Sequence, residues 1–299
     1  MNYRDTFNNC CAFALNKFGK DQKCSDDIAV GLAHAIAISG VSFSDFVVDY
    51  TDSKIINPEI FDVGGAIDSF INPKYKAFYH ALKYRRPIGL GTPNAACGSH
   101  ELFFALSSPD IKKCRNSGCG DLQIGSKNVE IKSGLDFRFI SETSGKAFYR
   151  HVSSLAEKFG IKCQDFKFWN FDPLERVDIV IAINKLGFTK MLDFISLAFD
   201  LDGFNFTRQN AVACFNQYGI FQPKLLQKQI LLALSLTRLS KVDKLVFIRN
   251  DLVKTYNVAE NAIQLAIESG EIAPSVNYFR IFQNFSIGWY FEIRGLDAE

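Results

Sequence analysis

Methionine is scarce, with 2 residues in 299, and neither sign of charge dominates: 34 Lys and Arg against 32 Asp and Glu leave a formal +2. A chain so balanced carries no global basic footprint, so any nucleic-acid surface on it must be local. No stretch approaches the roughly eighteen uninterrupted apolar residues of a membrane span. The opening Met1-Asn2-Tyr3-Arg4-Asp5 lacks the basic-then-apolar pattern of a secretion signal. Eight cysteines in this length do not make a disulfide scaffold. Cys10-Cys11 are adjacent and Cys114 and Cys119 are spaced C-x4-C, but neither pair has Cys or His partners at zinc-site spacing. These absences point to thiols in a reducing cytosol and to a cytoplasmic protein without a membrane segment. There is no internal repeat and no low-complexity linker.

Apolar residues make up 47% and charged residues 22%, ordinary globular values in a chain long enough for one large core or two domains. Phenylalanine is abundant, at 29 residues. With many Asn, Ile and Lys, this is a compositional hint of an AT-rich genome; if the source is viral, the setting is the host-cell cytoplasm.

The most informative stretch runs from Gly118 to Gly134. Leu122 and Ile124, then Val129 and Ile131, alternate with polar residues as half-buried strands do, and Gly125-Ser126 supplies a tight turn. A two-residue loop pairs Ile124 with Lys127, Leu122 with Val129 and Asp121 with Glu130. Asp121, Gln123, Glu130 and Lys132 then share one face and the aliphatic residues the other. A four-residue loop leaves the same faces, whereas a three-residue loop breaks them. Opposed carboxylates with Cβ atoms roughly 4.5–5.5 Å apart repel. A nearby lysine offsets that repulsion, and a bridging divalent cation offsets it better. Mg²⁺ suits such a place because it accepts a few carboxylate oxygens and keeps waters for substrate phosphates. Two carboxylates, a metal and a lysine can hydrolyse a phosphodiester.

The pattern Gly120-Asp121-(x8)-Glu130-Ile131-Lys132 resembles the active-site motif of the PD-(D/E)xK, or restriction-endonuclease-like, nuclease superfamily. Other (D/E)-x-Lys triplets occur, at Asp21, Asp52, Asp110 and Asp165, but only Glu130-Ile131-Lys132 lies on an alternating strand with an acid brought opposite. Asp121 is favoured over the literal Pro109-Asp110. The family often carries a further acid on a preceding helix, and Gly98 to Leu106 reads as one, with Ser99 as cap and Glu101 as the acid. The resemblance implies a mixed α/β fold, a restriction-endonuclease-like core with a central mixed sheet flanked by helices. It implies a Mg²⁺-dependent endodeoxyribonuclease, with Mn²⁺ able to substitute. Asp121 and Glu130 would hold the metal with the Ile131 carbonyl, Lys132 would position water, and Glu101 would assist. The implied partner is double-stranded DNA, and a homodimer is compatible. A catalytically silent nuclease-fold structural or interaction protein is the alternative, and an unrelated α/β binding protein a third reading.

The rest of the chain is organised around that hairpin. Residues 1–95 read as a mainly helical N-terminal region: a helix ending near Gly19, one from Ile28 capped by Ser25-Asp26-Asp27 and stopped at Gly40, one after Ser42, and one over Lys74–Lys83. Residues 96–134 form the first part of the nuclease core. Residues 135–221 read as an insertion that selects substrate, and residues 222–299 as the second part of the core with a closing hairpin around Asn284. Two helix–strand pairs could complete the core, 144–159 with 177–183 or 222–239 with 244–248; the later is preferred. Basic candidates for DNA contact are Lys83, Arg85 and Arg86 beside Tyr75, Phe78 and Tyr79, and Lys228, Arg238 and Lys241 within a basic stretch from Lys224 to Lys254. His80 and His100 stand alone, the latter adjoining Glu101.

Overall fold

Cys10, Ala14 and Phe18 recur every four residues and form the buried face of the first helix, α1 (Tyr3–Phe18), which stops where Gly19 turns to φ 77°. The computed structural model describes residues 3–19, 22–83, 98–114, 120–133, 137–160, 185–200, 206–239, 242–258, 261–281 and 286–296. Helix α2 (Gln22–Ser39) begins before the expected cap, so Ser25-Asp26-Asp27 lie within its first turns. Acidic residues are favoured there as well as at the cap, which makes the two placements look alike in sequence. Helix α3 (Phe43–Thr51) starts where expected, with the Ser42 hydroxyl accepting from the Asp45 N–H at 3.0 Å. Short segments α4 (Ile60–Val63), β1 (Gly65–Ala66) and α5 (Ile67–Phe70) lead through a single 3₁₀ turn into α6 (Lys76–Lys83). Helix α7 (Ser99–Ala105) follows.

A mixed six-stranded sheet lies against these helices. The hairpin β3 (Leu122–Ile124) and β4 (Lys127–Ser133) is antiparallel, and β2 (Ile111–Lys113) adds to its outer edge. The chain then forms β5 (Phe137–Ser144) of a separate sheet before β6 (Lys244–Arg249) and β7 (Leu252–Asn257) return to the first. Strand β6 runs parallel to β4, with Ile131 level with Val246. The full order is β1-β7-β6-β4-β3-β2. Residues 244–248 therefore supply the parallel neighbour of the hairpin, while the rival strand 177–183 lies outside the described residues. Leu245 to Ile248 are buried throughout, as befits an interior strand covered on both faces.

One face of the sheet, with Leu122, Val129, Ile131 and Val246, joins a core with Leu32, Phe46, Phe78, Phe103 and Phe104. Many of the phenylalanines are used here. Phe46 stacks on Phe78 with centroids 5.6 Å apart, and Tyr79 meets Phe103 edge-on at 4.8 Å.

Contacts divide the chain into two units, Met1–Ser133 with Lys241–Tyr256, and Gly134–Ser240 with Asn257–Asp297. The N-terminal helices thus share a unit with the hairpin. Residues 223–239 and the C-terminal hairpin, expected with the nuclease core, group instead with 134–240. This second unit holds a three-stranded antiparallel sheet, β5 with β9 (Ser286–Ile293) and β8 (Ile272–Ile281), in the order β5-β9-β8. Among the described residues its helices are α8 (Gly145–Lys158), α9 (Phe188–Ala198), α10 (Arg208–Val212), α11 (Pro223–Leu239) and α12 (Ala262–Glu268). Among the described residues, no single helix is long and apolar enough to cross a membrane.

Gly120 adopts φ 72°, and a Cβ there would stand 2.7 Å from the Val129 carbonyl oxygen and 3.0 Å from Val242. Backbone cannot give way as a flexible side chain can. Gly120→Ala is therefore expected to cost about 2 kcal/mol or more in urea unfolding. A loss below about 0.5 kcal/mol would contradict this packing.

Candidate active site

The hairpin has the register of a two-residue loop: Ile124 faces Lys127, Gln123 faces Asn128, and Leu122 faces Val129. Gly125 opens the turn at φ 59°. The side-chain alternation follows. Val129 and Ile131 enter the core, and Glu130 and Lys132 project from the other face, half-buried.

Asp121 stands just outside the ladder. Its N–H donates to the Val129 carbonyl at 2.9 Å, a connection that Gly120 makes room for, and its own carbonyl accepts from the Cys114 N–H at 3.0 Å. The carboxylate then takes the place of a missing backbone partner: the Ile131 N–H donates to its Oδ2 at 2.7 Å. A strand residue sends its N–H and C=O toward the same edge. The Ile131 carbonyl accordingly leaves β4 on the side where Asp121 sits.

Burial pushes the Asp121 carboxyl up to about 7, and the negative charges of Glu130 and then Glu101 push in the same direction; Lys132 and the Ile131 N–H only partly offset them. Three sequence-distant acids are thus brought into one electrostatic neighbourhood. Lys132 makes an ion pair with Glu130. Glu101 sits at the third position of α7, with its Oε1 2.8 Å from where a Cβ on Gly98 would stand. Gly98 is the residue before the helix, and no side chain caps it. The expected Ser99 cap is therefore not formed, since Ser99 is already the first helical residue.

Among the described residues, no group of three His, Cys, Asp or Glu side chains converges as a metal site. The chemistry of the donors nonetheless fits a hard divalent cation. Asp121 and Glu130 offer carboxylate oxygens and Ile131 offers a carbonyl, and the negative charge on Asp121 exceeds what Lys132 cancels. A cation would compete with Lys132 for Glu130 and with the Ile131 N–H for Asp121.

The basic candidates fare differently. Lys83 ends α6 in an ion pair with Asp251, so it is a structural tie rather than an open phosphate contact. Lys228 on α11 donates to the carbonyl of Glu268 at 2.8 Å, closing the C-terminal end of α12. Lys244, counted in the basic stretch, is buried, with its ammonium on the Phe61 carbonyl at 2.9 Å and on Asp62, whose carboxyl it holds below the usual range. Arg85, Arg86 and Lys241, and the side chain of Arg238, lie outside the described residues.

A polar network next to Glu101 was not foreseen. Tyr79 and Lys83 both donate to Asp251. With its proton committed there, the Tyr79 oxygen accepts from His100 Nε2 at 3.3 Å. Burial drives the His100 pKa down to about 4, which leaves it neutral. Burial works to raise the Asp251 carboxyl, but the hydrogen bonds from Lys83 and Tyr79 outweigh it and hold it low. Asp251 reaches this place from a two-residue turn, with Asn250 at φ 50° and Asp251 at φ 63°. The signal was present as Asn-Asp between two apolar runs, a dipeptide that tolerates this conformation.

Comparison of the chain with protein families, with characterised proteins and with solved structures finds no match.

Because the Asp121 carboxyl is raised in the folded state, the folded protein binds more protons than the unfolded chain between about pH 4 and pH 7, and stability falls across that window. Asp121→Asn keeps an oxygen for the Ile131 N–H and removes the charge. In EDTA it is expected to stabilise the protein by about 2 kcal/mol at pH 8 and by little at pH 4, read from urea midpoints at both values. Equal effects at both would contradict the assigned burial of charge.

Proposed function

We propose that the chain is a metal-dependent endonuclease that hydrolyses phosphodiester bonds in DNA at a PD-(D/E)xK-type site. The observation that carries this reading is the concentration of negative charge around a half-buried Asp121 from Glu130 and Glu101, with Lys132 paired to Glu130 on the same strand. The order of helix α7, the antiparallel strands β2, β3 and β4, and later β6 parallel to β4 supports it, although α11, the helix expected before β6, groups with the second unit.

Asp121, Glu130 and the Ile131 carbonyl would hold Mg²⁺, or Mn²⁺ in its place, and a cation bound there would polarise a phosphate and lower the pKa of a water. Lys132, on the same strand, would orient an attacking water or offset charge on a nonbridging phosphate oxygen. Glu101 accepts a proton through water or completes the carboxylate set. Asp121 would have to be ionised to serve, so activity is expected to rise as pH passes about 7. The substrate is duplex DNA, cut in the cytoplasm, with a homodimer as the arrangement for cutting both strands.

The alternative is a silent nuclease-fold interaction protein. Incubation of supercoiled and linear duplex DNA with Mg²⁺, Mn²⁺ or EDTA separates the two. Nicking should require metal and fall at least 100-fold in Asp121→Ala and in Lys132→Ala. Metal-independent nicking, or nicking that survives both substitutions, would sink the proposed site.

A further inference from the structure

The second unit carries an exposed aromatic surface built on a rigid turn. Phe215 and Phe221 form an isolated bridge, and the loop between them is fastened by Asn216. The Asn216 side chain accepts from the N–H groups of Tyr218 at 2.9 Å and Ile220 at 3.0 Å, and its backbone N–H donates to the Ile220 carbonyl at 2.9 Å. Gly219, at φ 70°, brings the loop against Phe188, which in turn packs edge-on to Phe215 at 5.0 Å. The result is a contiguous patch. Tyr218 is 77% exposed, Ile220 47% and Phe188 46%. Exposed apolar residues are ordinary when scattered, but a cluster held out by a fully hydrogen-bonded turn indicates a binding surface.

Charge indicates what binds it. Phe188 is flanked in the chain by Lys185 and Lys190, both exposed, and Phe221 is followed by exposed Lys224. From Phe206 to Val242 the sequence contains no Asp or Glu. Asp193, the acid on the helix that Phe188 begins, is matched by Arg208 at 2.9 Å. Exposed aromatic residues with lysines near them in the chain, and a following stretch without carboxylates, are complementary to unpaired bases on a phosphate backbone.

We infer that this surface of the second unit binds single-stranded nucleic acid, with a base stacked on Tyr218 and phosphates on Lys185, Lys190 and Lys224. Nothing in it depends on the cleavage reading, because the residues belong to the other unit of the chain and binding is read without metal.

The test uses the full chain in EDTA, with fluorescence anisotropy of a labelled 20-nucleotide oligothymidylate and of a duplex of equal length. The single strand should bind more tightly than the duplex. Tyr218→Ala should weaken it roughly 5- to 100-fold, the range for loss of one stacked base, and Tyr218→Phe should restore most of the binding. Lys185→Glu with Lys190→Glu should lower the slope of log affinity against log salt by roughly 1. Because all binding is read in EDTA, without metal-dependent cleavage, the outcome is separate from the fate of the nuclease. Unchanged binding in Tyr218→Ala, or no binding by the wild type, overturns it. Concentration-dependent self-association abolished by Tyr218→Ala, without oligonucleotide binding, would make the patch a protein–protein face and also overturn it.

Discussion

Where β3 runs out, the Ile131 N–H would have no partner on its side of the sheet, and the Asp121 carboxylate supplies one at 2.7 Å. An unsatisfied buried amide is costly, so this bond holds Asp121 at the end of the ladder. It has a consequence: a carboxylate is drawn into a half-buried position on a strand that already presents Glu130, and α7 adds Glu101 to its surroundings. The raised Asp121 carboxyl, the diversion of Lys132 to Glu130 and the need for glycine at position 120 all descend from that placement. Moving Asp121 out to solvent would relieve the repulsion but leave the Ile131 amide unmet.

The core side of the hairpin makes the arrangement hard to escape. Val129 and Ile131 are committed to an apolar layer with the N-terminal helices, and a strand alternates strictly. Glu130 and Lys132 therefore cannot turn inward without exposing both aliphatic residues. Parallel β6, buried from Leu245 to Ile248, fixes the strand from its other edge. The acids are close because the hydrophobic pattern compels it, and the destabilising charge is what a divalent cation would relieve.

Much of this was legible in the residues. Alternation at Leu122, Ile124, Val129 and Ile131 with Gly125 set the hairpin register, because period-two patterns and turn glycines are local signals. The Ser42 cap and the helix stop at Gly40 were local too. What could not be read depended on distant partners. Lys83 and Lys244 look like surface cations in sequence; only the fold brings Asp251 and Asp62 to them. Strand β7 is hard to read because it follows an Asn-Asp turn, a weaker hairpin signal than Asn-Gly. The grouping of 223–239 with the second unit rests on packing that no local pattern encodes. Asp121 itself was expected directly opposite Glu130, whereas Gly120 bends it out of the ladder and onto the Ile131 amide.

Asp121, pressed by the charges of Glu130 and Glu101, lies in excess negative charge suited to a divalent cation. The most direct measurement is calorimetric titration of the metal-free protein with Mn²⁺ at pH 7, repeated in buffers of different ionisation heat so that released protons are counted. The account predicts one bound Mn²⁺ per chain with release of a fraction of a proton, as the half-protonated Asp121 ionises, and loss of both in Asp121→Asn. No binding at millimolar Mn²⁺, or binding with no proton release that Asp121→Asn leaves intact, would contradict it.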